Sequence, residues 1–288
     1  MAFTTLIEAH VLERLLGEAG SGIVVLDCRF DLKNPSAGRS AYLAGHIPGA
    51  RYADLNKDLS APVSADSGRH PLPTPEAFAA TLGRLGIGND AQVVAYDDAG
   101  GSFAARAWWM LRWVGHEAVA VLDGGLRAWQ DAGGALESGE PSPPARDSRR
   151  PFSPRPDTAA LVGAAQVAAQ SNDTGHLLVD ARAPERFSGA VEPIDAVAGH
   201  IPGAVNHPFT DNLAKDGRFL PASELRRRWE ERLGGKPPRN VTAMCGSGVT
   251  ACHNLLSLEV AGLKGARLYP GSWSEWIKDP GRPVAKGA

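Results

Sequence analysis

Cys245 stands at a place in the sequence where a cysteine can serve as a nucleophile. It follows the apolar run 241–244, the residues Gly-Ser-Gly come next, and a helical pattern begins at residue 251. In open α/β sheets, ligands bind beyond the carboxyl ends of the strands. Unpaired N–H groups at the start of a helix there would stabilise a thiolate. We therefore predict that Cys245 is a nucleophile, the alternative being a small buried apolar residue.

The other two cysteines, Cys28 and Cys252, lack this setting. Cys28 lies near the end of a predicted strand and Cys252 lies within a predicted helix, so we expect both to be packing residues. Three cysteines without a CxxC pair form neither a disulfide framework nor a structural zinc site. The cysteine content therefore favours a reducing compartment, and we expect a cytoplasmic protein.

Composition excludes several classes of partner. The 288 residues are 43% hydrophobic and 22% charged, and the formal net charge is −2. A nucleic-acid binder would carry a basic footprint, and a membrane span needs about 20 consecutive apolar residues. The sequence has neither feature, so we expect neither nucleic acid nor a membrane as a partner.

The chain repeats itself over most of its length. The heptapeptide AGHIPGA occurs at 44–50 and again at 198–204, and an Asp-x-Arg sequence precedes each copy. Two copies at matching positions indicate a duplicated domain. A stretch with six prolines separates the copies and predicts a stiff linker. The predicted organisation is a first domain at 1–137, a Pro-rich linker at 138–156 and a second domain at 157–288.

Each half alternates short apolar runs with helical patterns. The predicted strands are 23–26 and 93–96 in the first half and 177–179 and 241–244 in the second. The predicted helices include 1–16, 74–85, 103–113 and 222–233, and the amphipathic pattern of the first argues against a secretory signal. Strands that alternate with helices indicate an α/β fold, with a mainly parallel sheet flanked by helices in each domain.

The duplication separates residues required by the fold from candidates for function. His46 and His200 occupy the same place in the repeated corner, so we expect structural roles for both. Asp180 and Arg182 repeat an earlier pair, and we expect an internal ion pair. Asp97 stands in the first half where Cys245 stands in the second. We therefore predict that only the second domain is catalytic.

These motifs together resemble the rhodanese family of two-domain sulfurtransferases. The loop CGSGVT is similar to that of members that use 3-mercaptopyruvate, whereas members that use thiosulfate carry basic residues after the cysteine. The resemblance implies tandem rhodanese-like domains, a catalytic second domain and no metal or organic cofactor. It also implies that the loop residues bind the sulfur donor, namely Gly246, Gly248, Val249 and Thr250.

The charge of the loop gives a separate argument about the donor. Thiosulfate is a dianion and would favour a cation near the sulfur, but the residues after Cys245 are neutral. In 3-mercaptopyruvate the carboxylate lies several atoms from the sulfur, so an arginine outside the loop can bind it. Arg186 matches the family arginine with this role. A second family arginine is missing near Asp195, and the second contact is in doubt or supplied elsewhere.

The resemblance also implies a proton relay that starts at Ser247. His70 matches the histidine of that relay, and Asp54 is the candidate carboxylate behind it, although Asn56 stands at the matching position. The predicted mechanism forms a persulfide on Cys245 and releases pyruvate. The partners would be a small-molecule sulfur donor and a thiol acceptor, such as a small thiol or a thioredoxin-like protein, with cyanide as an assay acceptor.

Three other functions remain as alternatives. Thiosulfate sulfurtransferase activity would use the same chemistry with a different donor. A Cys-dependent phosphatase needs an arginine at position 251 to hold phosphate, and Ala251 argues against it. A non-enzymatic partner-binding or redox-sensing module is a third possibility, against which the intact Cys245 loop argues.

Overall fold

The computed structural model describes residues 2–18, 22–140, 151–171 and 173–287. The chain divides into two compact units, and each takes one segment from the other half of the sequence. The N-terminal unit comprises Met1–Ala61, Pro73–Asp157 and Lys215–Phe219; the C-terminal unit comprises Pro62–Leu72, Thr158–Ala214 and Leu220–Ala288. The segment Pro62–Leu72, which contains His70, thus folds with the C-terminal unit.

A five-stranded parallel sheet forms the centre of the N-terminal unit, in the order β1-β5-β4-β2-β3. Its strands are β1 (Leu6–Ile7), β2 (Ile23–Asp27), β3 (Arg51–Tyr52), β4 (Gln92–Tyr96) and β5 (Val119–Leu122). The central strands are rich in Val and Ala and largely buried, as expected where helices cover both faces of a parallel sheet.

Within the described residues, the α-helices of the N-terminal unit are α1 (Ala9–Leu16), α2 (Ala37–Ala44), α3 (Pro75–Arg84), α4 (Ala104–Trp113) and α5 (Gly125–Asp131). The predicted helix over 1–16 was wrong in its first half, because Leu6 and Ile7 form strand β1 and pair with β5. The start of α3 follows the sequence signals, since Pro75 is its first residue and the Thr74 hydroxyl accepts the Ala77 N–H.

The C-terminal unit repeats this plan with a four-stranded parallel sheet in the order β7-β6-β8-β9. Its strands are β6 (Leu177–Asp180), β7 (Val205–Asn206), β8 (Val241–Met244) and β9 (Arg267–Leu268). Its helices are α6 (Ala164–Gln170), α7 (Pro184–Phe187), α8 (Ala222–Leu233), α9 (Ala251–Val260) and α10 (Ser272–Trp276). The α/β fold with parallel sheets is confirmed in both units.

The repeated histidines have the structural roles that the sequence predicted. The His46 ring stacks on Tyr42 at a centroid distance of 4.0 Å, and His46 Nδ1 lies 2.8 Å from the Tyr42 carbonyl oxygen. His200 stacks on Phe187 at 3.9 Å, and His200 Nδ1 lies 2.9 Å from the Phe187 carbonyl oxygen. Both rings therefore fix a corner of the chain.

The repeated Asp-x-Arg pair is a buried ion pair, as predicted. Arg182 Nη2 lies 2.7 Å from Asp180 Oδ2 and also donates to the Gly199 carbonyl at 2.7 Å. Asp27 and Arg29 form the same pair in the N-terminal unit. Each arginine joins the end of a strand to the repeated corner, which sets the position of the residues that follow.

The predicted linker at 138–156 is described only at its two ends, and residues 141–150 lie outside the described residues. At its C-terminal end, the Arg155 N–H donates to the Val114 carbonyl at 2.9 Å. Among the helices described for this chain, none combines the length and apolar character needed to cross a membrane.

Candidate active site

Cys245 lies at the carboxyl end of β8, and only 2% of its surface is exposed. Its backbone is held from α10: the Cys245 N–H donates to the Ser272 hydroxyl at 3.1 Å, and the Cys245 carbonyl accepts the Trp273 N–H at 3.0 Å. Ser272 has a positive φ of 53°, which is uncommon for a residue with a side chain. The position of the cysteine is thus fixed by contacts on both sides of its peptide.

The loop after Cys245 leads directly into α9, which begins at Ala251. Gly248 has a φ of 75°, and a Cβ there would lie 2.4 Å from the Pro270 carbonyl oxygen, so this position requires glycine. Val249 is buried, and Thr250 is the N-cap residue of α9. The start of an α-helix is the positive end of its dipole, so the turn that leads into α9 favours an anion.

Ser247 and His70 are in hydrogen-bond contact although 177 residues separate them. His70 Nδ1 lies 2.8 Å from Ser247 Oγ, and both residues are buried. Ser274 links the segment of His70 to the loop, because its hydroxyl accepts the Arg69 N–H at 3.0 Å while its own N–H donates to the Gly246 carbonyl at 2.9 Å. The structure therefore brings together two of the three residues proposed for the relay.

Arg186, on α7, is held by two carboxylates and is not a solvated surface residue. Its guanidinium makes a bidentate contact with Glu192 at 2.8–3.1 Å, and its Nη2 lies 2.9 Å from Asp195 Oδ2. Only 16% of the Arg186 side chain is exposed. Burial opposes the charge of Glu192, but the contacts with Arg186 and the N–H groups of Asp195 and Ile194 together lower the pKa of Glu192.

Arg69 is a site residue that the sequence analysis missed. Its Nη1 pairs with Asp195 Oδ1, and its Nη2 lies 3.1 Å from the position that a Cβ on Gly246 would take. Arg186 Nη1 lies 3.5 Å from the same position. The loop itself is neutral, as its sequence shows, but two guanidinium groups lie against it. The only signal in the sequence was the place of Arg69 directly before His70.

Asp54 belongs to the N-terminal unit, where its carboxylate stabilises its own turn. Asp54 Oδ1 accepts the N–H of Asn56 at 2.8 Å and that of Lys57 at 3.2 Å. The Asp54 N–H donates to Asp58 Oδ2 at 2.9 Å. These contacts order the turn after β3 and give Asp54 a structural role of its own.

Asp97 takes the place of the cysteine in the N-terminal unit, at the end of β4. Its side chain is fully buried and accepts four backbone N–H groups at 2.8 Å each. These four N–H groups belong to Ala99, Gly101, Phe103 and Ala104. In this domain, the carboxylate of Asp97 thus occupies the centre of the loop and accepts its backbone N–H groups.

The remaining two cysteines are buried free thiols. The Cys252 thiol lies within α9 and donates to the Gly248 carbonyl at 3.3 Å, which ties the helix to the loop. Burial and the nearby Asp27 carboxylate raise the pKa of the Cys28 thiol well above its ordinary value. Within the described ranges, no group of three or more His, Cys, Asp and Glu residues could hold a metal ion.

Comparison with known proteins identifies the family. Residues 8–132 and 163–279 each match the family model of the rhodanese-like domain. A Pseudomonas aeruginosa protein named "Probable 3-mercaptopyruvate sulfurtransferase" is 53% identical over 291 residues, which cover 100% of both chains. The Bos taurus protein named "Thiosulfate sulfurtransferase" is 37% identical over 91% of this chain and 87% of its own.

A solved structure gives the same result. SseA from Escherichia coli, described as a 3-mercaptopyruvate sulfotransferase with a rhodanese fold, superposes with a TM-score of 0.79. It is 33% identical in sequence, and the match covers 94% of this chain and 100% of SseA. The chain therefore belongs to the rhodanese family and carries two rhodanese-like domains in tandem.

Proposed function

We propose that this protein is a sulfurtransferase that moves sulfur from 3-mercaptopyruvate to a thiol acceptor through a persulfide on Cys245. One observation carries the proposal: the buried Cys245 ends a parallel strand in a Gly-rich turn whose Ser247 contacts His70 at 2.8 Å. The P. aeruginosa and E. coli relatives support this choice of donor by their names.

The first half-reaction transfers one sulfur atom to the enzyme. The Cys245 thiolate attacks the donor sulfur, and the C–S bond breaks with its electron pair going to carbon. The products are a Cys245 persulfide and the enolate of pyruvate. The Ser247 hydroxyl protonates the enolate carbon, and His70, 2.8 Å from Ser247 Oγ, returns a proton to the serine.

The second half-reaction regenerates the enzyme. An acceptor thiolate attacks the outer sulfur of the persulfide, the S–S bond breaks, and its electron pair returns to Cys245 as the thiolate. The acceptor would be a small thiol, a thioredoxin-like protein or, in an assay, cyanide. The three cysteines are not joined in disulfides, which is consistent with a reducing, cytoplasmic setting, and we include that setting in the proposal.

Arg186 and the loop bind the donor in this mechanism. The Arg186 guanidinium, beside Gly246, would hold the carboxylate end of 3-mercaptopyruvate by a charge-assisted contact. Gly246, Gly248, Val249 and Thr250 would supply the turn that surrounds the transferred sulfur. Asp54 remains a candidate for the carboxylate that supports His70. If the Asp54→Asn variant keeps the turnover rate of the parent enzyme, Asp54 is not part of the relay.

Thiosulfate is the second candidate donor, and one observation favours it. The guanidinium groups of Arg69 and Arg186 lie against Gly246, so cations are available near the loop for a dianion. The Glu192 and Asp195 carboxylates pair with these arginines and offset their charge, which reduces the advantage of a dianion. The balance therefore favours the monoanionic donor.

Side-by-side steady-state kinetics with the two donors tests the proposal. With cyanide as the common acceptor, we expect kcat/KM for 3-mercaptopyruvate to exceed that for thiosulfate by at least about tenfold, or about 1.4 kcal/mol. A higher kcat/KM for thiosulfate would assign the enzyme to the other donor. Failure of both donors to transfer sulfur would remove the sulfurtransferase function.

A further inference from the structure

Residues 190–197 of the C-terminal unit expose their apolar side chains and bury their charged ones. The segment reads Ala-Val-Glu-Pro-Ile-Asp-Ala-Val. The side chains of Glu192 and Asp195 are only 3% and 4% exposed, whereas Val191 and Ile194 are 52% and 40% exposed. Soluble proteins normally have the opposite arrangement, with charges outside and large apolar residues inside. The inversion indicates a surface that binds a partner.

Buried ion pairs hold the segment in this orientation. The Glu192 carboxylate makes a bidentate contact with Arg186 at 2.8–3.1 Å. Glu192 Oε1 also accepts the N–H groups of Ile194 at 3.0 Å and Asp195 at 3.1 Å. Because the backbone and both carboxylates are fixed, a partner would meet a preformed surface and would lose little free energy in ordering it.

The exposed apolar surface continues at the C-terminal end of the chain. Val284 is 40% exposed, and its Cγ1 lies 2.9 Å from the position that a Cβ on Gly199 would take. The backbones of Ala285 and His200 exchange two hydrogen bonds of 2.9 Å, which fix this end against the corner after the segment. Of the seven large apolar side chains exposed among the described residues, four form what we call the apolar surface: Val191, Ile194, Val197 and Val284.

The buried Trp273 connects the apolar surface to the catalytic loop. Its backbone N–H donates to the Cys245 carbonyl at 3.0 Å, and its indole N–H donates to the Val197 carbonyl at 2.9 Å. Arg186, which holds Glu192, has its Nη1 3.5 Å from the position of a Cβ on Gly246. Direct contacts therefore place the apolar surface beside the Cys245 loop.

The proposed reaction requires an acceptor to reach this loop. Only 2% of Cys245 is exposed, so little of the thiol faces solvent. A protein acceptor must bring its cysteine to the loop, and its own surface must then rest on the residues beside the loop. A second copy of the chain on the apolar surface would instead hinder access to Cys245.

We propose that the apolar surface is the docking site of a thioredoxin-like acceptor, a protein whose reactive dithiol lies on an uncharged face. The inference rests on the proposed function and assigns its acceptor a place on the molecule. One acceptor thiolate attacks the outer sulfur of the Cys245 persulfide, the S–S bond breaks, and its electron pair returns to Cys245. The second acceptor thiolate then attacks the inner sulfur of the new persulfide, which forms a disulfide and releases hydrosulfide.

The experiment compares a protein acceptor with a small one, using 3-mercaptopyruvate as the donor. The acceptors are thioredoxin, kept reduced by thioredoxin reductase and NADPH, and cyanide. NADPH oxidation measures the first reaction and thiocyanate formation the second. The proteins are the parent, the double variant Val191→Gln/Ile194→Gln, and Leu136→Gln. Glutamine removes apolar contact without adding charge, and Leu136 is a matched control because it is an exposed apolar residue of the N-terminal unit.

The double variant should lose the protein acceptor and keep the small one. We expect its kcat/KM for thioredoxin to fall at least about tenfold, through a higher KM, because two apolar contacts of the docked complex are lost. With cyanide, kcat/KM for 3-mercaptopyruvate should stay within about twofold of the parent, the usual limit for surface substitutions. Leu136→Gln should match the parent with both acceptors.

The outcomes separate the docking surface from the proposed function. If the parent transfers no sulfur to cyanide, the proposed function fails before the apolar surface is considered. If the parent is active with cyanide, two results overturn the docking surface: thioredoxin removes no sulfur from the parent, or the double variant keeps the parent kcat/KM for thioredoxin. Should the double variant fail to fold, as judged by circular dichroism, Val191→Gln alone decides.

Self-association is tested on the same proteins by analytical ultracentrifugation. We expect the parent and the double variant to sediment with the same oligomeric state. A dimeric parent and a monomeric double variant would assign the apolar surface to a second copy of the chain and would overturn the proposal.

Discussion

The Asp97 loop of the N-terminal unit and the Cys245 loop of the C-terminal unit have the same frame. Each follows a central parallel strand, β4 or β8, and each precedes a long helix, α4 or α9. The carbonyl at each key position accepts an N–H from the last helix of its repeat, from Leu126 at 2.9 Å and from Trp273 at 3.0 Å. The two loops therefore share this anchoring contact, although the Asp97 loop is one residue longer before its helix.

The difference shows what this loop is built to hold. The Asp97 carboxylate accepts four N–H groups at 2.8 Å, so in the N-terminal unit an anion fills the turn permanently. Cys245 offers a sulfur at the same place, and a sulfur can gain and lose a second sulfur atom. We infer that this turn favours an anion in both units. In the N-terminal unit the anion is a fixed carboxylate, whereas in the proposed mechanism Cys245 gains and loses a sulfur atom.

The surroundings of the two loops differ as well. Arg186 follows Asp180 by six residues, and the residue at the same distance from Asp27 is Lys33, which is exposed. The paired carboxylates Glu192 and Asp195 hold Arg186 near Gly246. The proposed donor contact therefore has no counterpart at the equivalent position of the N-terminal unit.

The largest effect is expected when the Cys245 thiol is removed from the C-terminal loop. Cys245→Ser should lower sulfur transfer by about 10⁴-fold or more, because a hydroxyl is a weak nucleophile and cannot hold a persulfide. Cyanide-linked kinetics and circular dichroism measure activity and fold. Cys252→Ser is the matched control, with activity kept and stability lowered by ~1–2 kcal/mol. An active Cys245→Ser with an inactive Cys252→Ser would reverse the assignment.

The next largest effect tests the proposed proton relay, of which Ser247 and His70 lie in the C-terminal unit. Ser247→Ala and His70→Gln should each lower kcat by about 10²-fold, the usual contribution of a positioned proton donor. The double variant should lose little more than either single variant, since the two groups act in series through one contact. Fully additive losses would show that Ser247 and His70 do not work as a unit.

Arg186→Ala removes the proposed donor contact, which the N-terminal repeat lacks. A charge-assisted contact of about 1.5–3 kcal/mol corresponds to a rise in KM of roughly 10- to 150-fold for 3-mercaptopyruvate. The rise should be smaller for a donor without a carboxylate, and the control Arg226→Ala, at an exposed residue of α8, should leave both KM values unchanged. An unaltered KM in Arg186→Ala would show that Arg186 only pairs with Glu192 and does not bind the donor.

The smallest effect concerns the N-terminal loop and changes stability only. Asp97→Asn replaces one carboxylate oxygen by an N–H₂ group that faces backbone donors, which should cost about 1–3 kcal/mol. Thermal unfolding followed by circular dichroism should show a lower Tm. The amount of persulfide formed per folded protein should stay the same. An equal Tm would contradict the view that the Asp97 carboxylate organises its loop.

Much of the fold follows from local sequence patterns. The strand 241–244, the helix 222–233 and the position of Cys245 were predicted correctly, since each depends on apolar periodicity and turn residues close in sequence. Strand β1 was missed because two residues carry little periodicity and their partners in β5 are far along the chain. Pairing, and not local propensity, decides such short edge strands.

The candidate site shows a sharper limit. The sequence pointed to Cys245, Ser247 and Arg186, but it missed Arg69. Arg69 joins the site through Asp195 and Ser274, which lie 126 and 205 residues further along the chain. Its segment folds with the C-terminal unit although the duplicated pattern assigns it to the first half. The hydrophobic periodicity of the sequence does not show that this segment packs with the other unit.

One measurement tests the central claim that Cys245 carries the transferred sulfur. The protein is incubated with 3-mercaptopyruvate without an acceptor, and intact mass and peptide mapping by mass spectrometry then locate any added sulfur. We predict one added sulfur atom on the peptide of Cys245, an equal amount of pyruvate, and loss of that sulfur when a thiol is added. Sulfur on Cys28 or Cys252, or pyruvate released without any added sulfur, would contradict the account.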